Sequence, residues 1–139
     1  MYAYKRGDYQ QCLQLSTQNV RCLLYADHIP SVSLYPEFLQ LLDDDIVSLT
    51  ALTLIVDPKC RGHSDNVCIG QVTLSLYLMT QCQLKLRHSV MSLAQTLDYI
   101  KVTHRRTPVR RTLDRLTLKM IAQKALIYIT TPVANDKGM

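Results

Sequence analysis

Between Lys101 and Lys124 the chain concentrates eight of its sixteen basic residues, Lys101, Arg105, Arg106, Arg110, Arg111, Arg115, Lys119 and Lys124, against a single acid, Asp114. The stretch carries +7, and because the whole chain is +5 the remainder stands at −2. A guanidinium presents a planar fork of N–H donors that matches the oxygens of a carboxylate or a phosphate. The chemistry on offer is capture rather than bond making: of an acidic peptide, a phosphorylated partner protein or nucleic acid. Arg111, Arg115 and Lys119 recur every four residues and so share one face of a helix. With Arg105, Arg106 and Arg110 they make up the expected docking patch. A run of like charges is also what a solvated helix face looks like. Nucleic-acid binding would draw on aromatics for base stacking, and only Tyr99 and Tyr128 are near.

Other reactive constellations are thinner. Cys60-x-x-His63 followed by Cys68 resembles part of a zinc site, but tetrahedral zinc needs a fourth ligand and nothing in the sequence brings His88 to it. No metal is expected. Asp43-Asp44-Asp45 could offer hard oxygen ligands, yet no calcium-loop spacing accompanies it, and acids ahead of an apolar run are what a helix start demands. A cysteine nucleophile such as Cys60 beside His63 is conceivable, but loop neighbours in sequence need not align for proton transfer. There is no glycine-rich phosphate loop, no Gly-x-Ser-x-Gly elbow and no His-Glu-x-x-His helix. His28, His63, His88 and His104 are scattered, and the lone glutamate, Glu37, has no partner for paired-carboxylate chemistry. The expectation is a non-enzymatic protein with no cofactor.

Whatever the basic stretch binds, helices must present it. Four glycines are few for a protein of tight turns and strands, and the chain is leucine-rich with a 47% apolar share. Gly7 can take the positive φ that closes one helix, and Asp8 can then cap the next. After it Tyr9, Cys12, Leu13, Ser16, Val20, Leu23 and Leu24 fall at three-and-four spacing, with Gln10, Gln11, Gln14 and Gln18 on the wet face. Pro36 and Glu37 suit the first turn of a short helix carrying Phe38, Leu39, Leu41 and Leu42. Ile46 to Val56, apolar nearly all round and closed by Asp57-Pro58, reads as a central helix buried on most sides. Pro58 to Ser64 is a loop.

Asn66 to Leu84 is free of formal charge. Its glutamines and hydroxyls make it too polar to span a membrane, so a buried helix is expected over 66–86, with Gly70 at a close contact. The alternation of Val72, Leu74, Leu76 and Leu78 would suit a strand, but the run outlasts a normal one. Ser89 caps a helix with the stripe Val90, Leu93, Ala94, Leu97 and Ile100. Thr107-Pro108 opens a last helix with Val109, Leu113, Leu116, Met120 and Ile127 on one side, ending near Thr131-Pro132. The fold class is therefore all-α: five or six helices in antiparallel hairpins, as one domain over 1–131 with a frayed tail at 132–139.

The opening residues resemble the tetratricopeptide repeat (TPR), whose turn commonly reads Tyr-x-x-Gly-Asp/Asn-Tyr-x-x-Ala. Tyr4, Gly7, Asp8 and Tyr9 match it, and Cys12 stands at the small alanine position. The likeness covers residues 1–25; Ser16, Asn19 and Leu24 depart from the family's aromatic, alanine and closing proline. It implies a helical binding scaffold that starts mid-hairpin, as the C-terminal part of a larger repeat protein, presenting a groove to a partner protein or peptide. The five cysteines are an odd number with no cleavable signal before them, which points to free thiols and a cytoplasmic setting.

Overall fold

The computed structural model describes residues 1–26, 31–34, 38, 40–56, 68–106 and 112–131. Among these the protein is all-α, with six helices and one small two-stranded sheet. A single turn, α1 (Tyr2–Lys5), ends at Gly7, whose φ of 81° lies where only glycine is at ease. Asp8 then accepts a hydrogen bond from the Gln11 amide at 3.3 Å and starts α2 (Tyr9–Leu23). Cys12, Leu13, Ser16 and Val20 form its buried stripe.

Ser31–Ser33 (β1) pairs antiparallel with Cys68–Gly70 (β2), Val32 opposite Ile69. This corrects the helix expected from Asn66 onward. Ile69 is fully buried in the strand pair, and the extended Gly70 donates its N–H to Asp114 Oδ1 at 2.8 Å, which fixes the helix start one residue later. The strand partner lies 35 residues away in sequence at the Ser33–Cys68 contact, so no local pattern announces it.

Asp44–Val56 (α3) is a helix as expected, but not one buried on most sides. It hides only Ile46, Thr50 and Thr53, while Leu52, Ile55 and Val56 are 46%, 77% and 60% exposed. Its main neighbour is the last helix, so it lies on the flank of the bundle. The centre is α4 (Gln71–Lys85), in which every residue from Val72 to Gln83 is buried. A turn through Arg87, with φ 54°, leads to Ser89, which accepts from the Ser92 amide at 3.3 Å and opens α5 (Val90–Arg106). Leu93, Leu97 and Ile100 of the expected stripe are buried, Val90 is half-buried and Ala94 is exposed. In the last helix, α6 (Thr112–Thr130), Leu113 of the expected stripe is buried, Leu116 and Met120 are half-buried and Ile127 is 64% exposed, while Leu118, Ile121 and Ala125 complete the inward face. Asp114 is buried on the same side, where it accepts the Gly70 amide.

Side-chain contacts give the directions of the helices. Asp114 meets Gly70, Lys124 meets Gln81 at 3.1 Å and Tyr128 donates to the His88 carbonyl at 2.9 Å, so α6 runs parallel to α4. The Lys85 ammonium sits 5.4 Å over the Tyr9 ring, placing the start of α2 at the end of α4, antiparallel. Thr96 donates to Gln83 at 2.7 Å across the α4–α5 hairpin. Of the helix expected from Pro36, Phe38 and Leu41 are half-buried, the Leu41 amide donates to the Phe38 carbonyl at 3.0 Å in a turn and Leu42 is buried, while Pro36, Glu37 and Leu39 lie outside the described residues, as do the 58–64 loop, the Thr107-Pro108 cap with Val109 and the 132–139 tail.

Candidate docking surface

Where α5 and α6 lie side by side, a groove of about 580 Å³ remains open between them. Leu97, Ile100 and Leu118, each less than a tenth exposed, form its floor, and Ala122 and Leu126 continue it along α6. Lys101 and Arg105 stand on the α5 side and Lys119 on the α6 side, all exposed, with His104 and Gln123 completing the lining. The i, i+3 and i+4 spacing of each helix produces this arrangement: Leu97, Lys101, His104 and Arg105 follow one edge of α5, and Leu118, Lys119, Ala122 and Leu126 one edge of α6. No carboxylate is among the lining residues. An apolar trough is thereby bordered on both walls by cations that form no ion pair among the described residues.

The expected patch divides. Arg105 and Lys119 reach the rim. Arg106 turns away: its guanidinium donates to the carbonyl oxygens of Leu24 and Ala26, where α2 has just ended and backbone acceptors are unfilled. Arg115 is half-buried and engaged within the protein. Arg110 and Arg111 lie outside the described residues. Lys124 is ion-paired with Asp45. Lys101 and His104 join the site, and so does the apolar floor, for which the sequence held no signal because it exists only once α5 and α6 are paired.

A second polar cluster came unannounced. Asp43 accepts hydrogen bonds from the Tyr4 hydroxyl and, at 2.6 Å, from the Gln81 amide. Asp45 accepts from the Tyr77 hydroxyl at 2.7 Å and from Lys124. One carboxylate of the triplet does serve the helix start, Asp45 taking the Ile46 amide at 2.7 Å, but the pair mainly ties α1, α3, α4 and α6 together. Burial pulls the Asp45 carboxyl upward, and the hydrogen bonds from Lys124 and Tyr77 with the Lys124 charge outweigh it, holding Asp45 below the ordinary carboxylate value. Burial, then the facing carboxylates, pushes the Tyr4 and Tyr77 phenols well above theirs. The two phenols stay protonated and Asp45 stays ionised, so the cluster is a latch.

Cys60 and His63 lie outside the described residues; Cys68 is half-buried against Ser33 at 3.6 Å. Among the described residues no three His, Cys, Asp or Glu side chains are placed to share a metal ion, and no helix is long and apolar enough to cross a membrane. The chain matches no family model, no curated protein and no solved structure.

Proposed function

We propose that the protein is a non-enzymatic helical scaffold for protein–protein interaction, TPR-like in its opening hairpin, and that the α5–α6 groove takes up an acidic segment of a cytoplasmic partner protein. The observation that carries this is the pairing of an apolar floor, Leu97, Ile100 and Leu118, with exposed Lys101, Arg105 and Lys119 on its two walls. Such a trough suits an amphipathic helix whose apolar side chains recur at i, i+3, i+4 and i+7 and whose flanks are Asp and Glu. The floor sets this reading apart from nucleic-acid binding, since phosphate contacts need cations but no greasy base between them.

Binding of a fluorescent amphipathic helical peptide with acidic flanks, followed by anisotropy, tests it. The triple variant Lys101→Glu, Arg105→Glu, Lys119→Glu is expected to weaken binding at least about tenfold, roughly 1.4 kcal/mol. Equal binding by wild type and triple variant would overturn the proposal. Tighter binding of duplex or single-stranded nucleic acid than of peptide across a salt series would instead favour the nucleic-acid alternative.

A further inference from the structure

Helix α3 turns an apolar face to solvent. Its exposed residues are Asp44, Ser48, Ala51, Leu52, Ile55 and Val56, which recur at i, i+4, i+7, i+8, i+11 and i+12 and so form one continuous stripe. A contiguous patch of this kind marks a place where another protein sits. Asp44 stands at the start of the stripe, exposed and without an ion pair among the described residues. α3 is also the one described helix whose sequence holds no lysine, arginine or histidine. The chain thus carries its own acidic amphipathic helix.

The α5–α6 groove matches it in polarity and in length. α4 and α5 form an antiparallel hairpin and α6 runs parallel to α4, so α5 and α6 are antiparallel. Leu97, early in α5, therefore lies with Leu126, late in α6, while Arg105 lies with Lys119. One end of the groove is apolar and the other cationic. α3 has Leu52, Ile55 and Val56 at one end of its stripe and Asp44 at the other. Asp44 to Leu52 and Leu118 to Leu126 each span eight positions, about 12 Å of helix rise.

Building on the groove's reading as a seat for an acidic amphipathic helix, we propose that its occupant is α3 of a second copy of this chain. The apolar end of the stripe lies over Leu97, Ala122 and Leu126, and Asp44 points to Arg105 and Lys119. α3 stays on its own bundle throughout, because Ile46, Thr50 and Thr53, which hold it there, lie on the opposite side from the stripe. Each copy offers one helix and one groove, so each contact joins unlike surfaces, and two such contacts about a twofold axis close a dimer. A single helix face is a small interface, which makes association weak and dependent on protein concentration. Opposite charges at one end make it weaker as salt rises.

Sedimentation velocity of the full chain over a concentration series, at low and high salt, tests this. Wild type is expected to pass from monomer toward dimer as concentration rises, and to need more protein to do so in high salt. Ile55→Lys and the triple variant Lys101→Glu, Arg105→Glu, Lys119→Glu are each expected to associate at least about tenfold more weakly. All four positions are exposed, so folding is not at stake. An equimolar mixture of the two variants unites the intact α3 of the triple variant with the intact groove of the Ile55 variant, and is expected to associate more tightly than either alone. A wild type that stays monomeric, an Ile55→Lys protein that associates as wild type does, or a mixture no tighter than its components overturns the proposal. Anisotropy with the acidic-flanked peptide tells this failure from failure of the groove itself: a monomeric wild type that binds the peptide strikes out only the second copy, and one that does not bind it strikes out both.

Discussion

Asp45 shows what a single carboxylate does in this protein. Its oxygens receive Lys124, Tyr77 and the Ile46 amide, and it is held below its ordinary value by them despite its burial. A carboxyl whose folded value is depressed stabilises the fold above its unfolded value, about 4, and that contribution disappears as pH falls through the folded value. Asp45→Asn is therefore expected to destabilise the protein by about 1–2 kcal/mol at neutral pH, with the difference from wild type narrowing below about pH 4. Urea unfolding measured from neutral to acidic pH checks this, and a difference that stays constant with pH would contradict it. The neighbouring arginines make a second contrast. Arg106 fills the carbonyls beyond α2, whereas Arg105 faces solvent on the groove rim. Arg106→Ala is expected to lower stability by about 1 kcal/mol, and Arg105→Ala to leave stability within about 0.5 kcal/mol while weakening peptide binding. Unfolding and anisotropy on the same two variants separate the roles.

At the level of the helices, the periodicity of Tyr9 to Leu24 and the caps at Asp8 and Ser89 could be read from sequence because they are local. Which helix lies at the centre could not. Ile46 to Val56 is the more apolar stretch, yet α3 sits on the flank, and α4 occupies the middle with Thr73, Ser75, Thr80, Gln81 and Gln83 buried. Thr80 is satisfied within its own helix by the Leu76 carbonyl at 2.8 Å, and the two glutamines are tolerated because partners come to them from afar: Gln81 donates to Asp43, and Gln83 accepts from Thr96. Hydropathy counts the cost of burying a glutamine but not the distant group that satisfies it. The consequence is a reversal of what composition suggests. Leu76→Ala in α4, at a residue with no exposure, is expected to cost about 2–5 kcal/mol, whereas Ile55→Ala in α3, at 77% exposure, is expected to cost under about 0.5 kcal/mol. Denaturant midpoints for the two variants decide it, and comparable losses would mean that α3 is covered by something in solution.

For the molecule as a whole, charge and packing were unequally legible. The surplus of +7 between Lys101 and Lys124 is plain in the sequence, and it supplies the cations on both walls of the α5–α6 groove. The apolar floor is not, because Leu97 and Ile100 come from α5 and Leu118 and Leu126 from α6, and the stripe expected for α6 ran through Leu116, Met120 and Ile127 instead. If the groove binds as proposed, its two components are separable by salt. Lys101, Arg105 and Lys119 attract an acidic helix over a Debye length, about 8 Å at physiological ionic strength, so affinity should fall as salt rises. Leu126, 46% exposed, contributes by losing water on binding, a contribution that salt screens little. Leu126→Ser is thus expected to weaken peptide binding roughly three- to tenfold at every salt concentration, leaving the slope of log Kd against log salt unchanged. Lys119→Gln should weaken binding mainly at low salt and flatten that slope. A Leu126 variant that changed the slope, or a Lys119 variant that did not, would show that floor and rim do not serve one ligand.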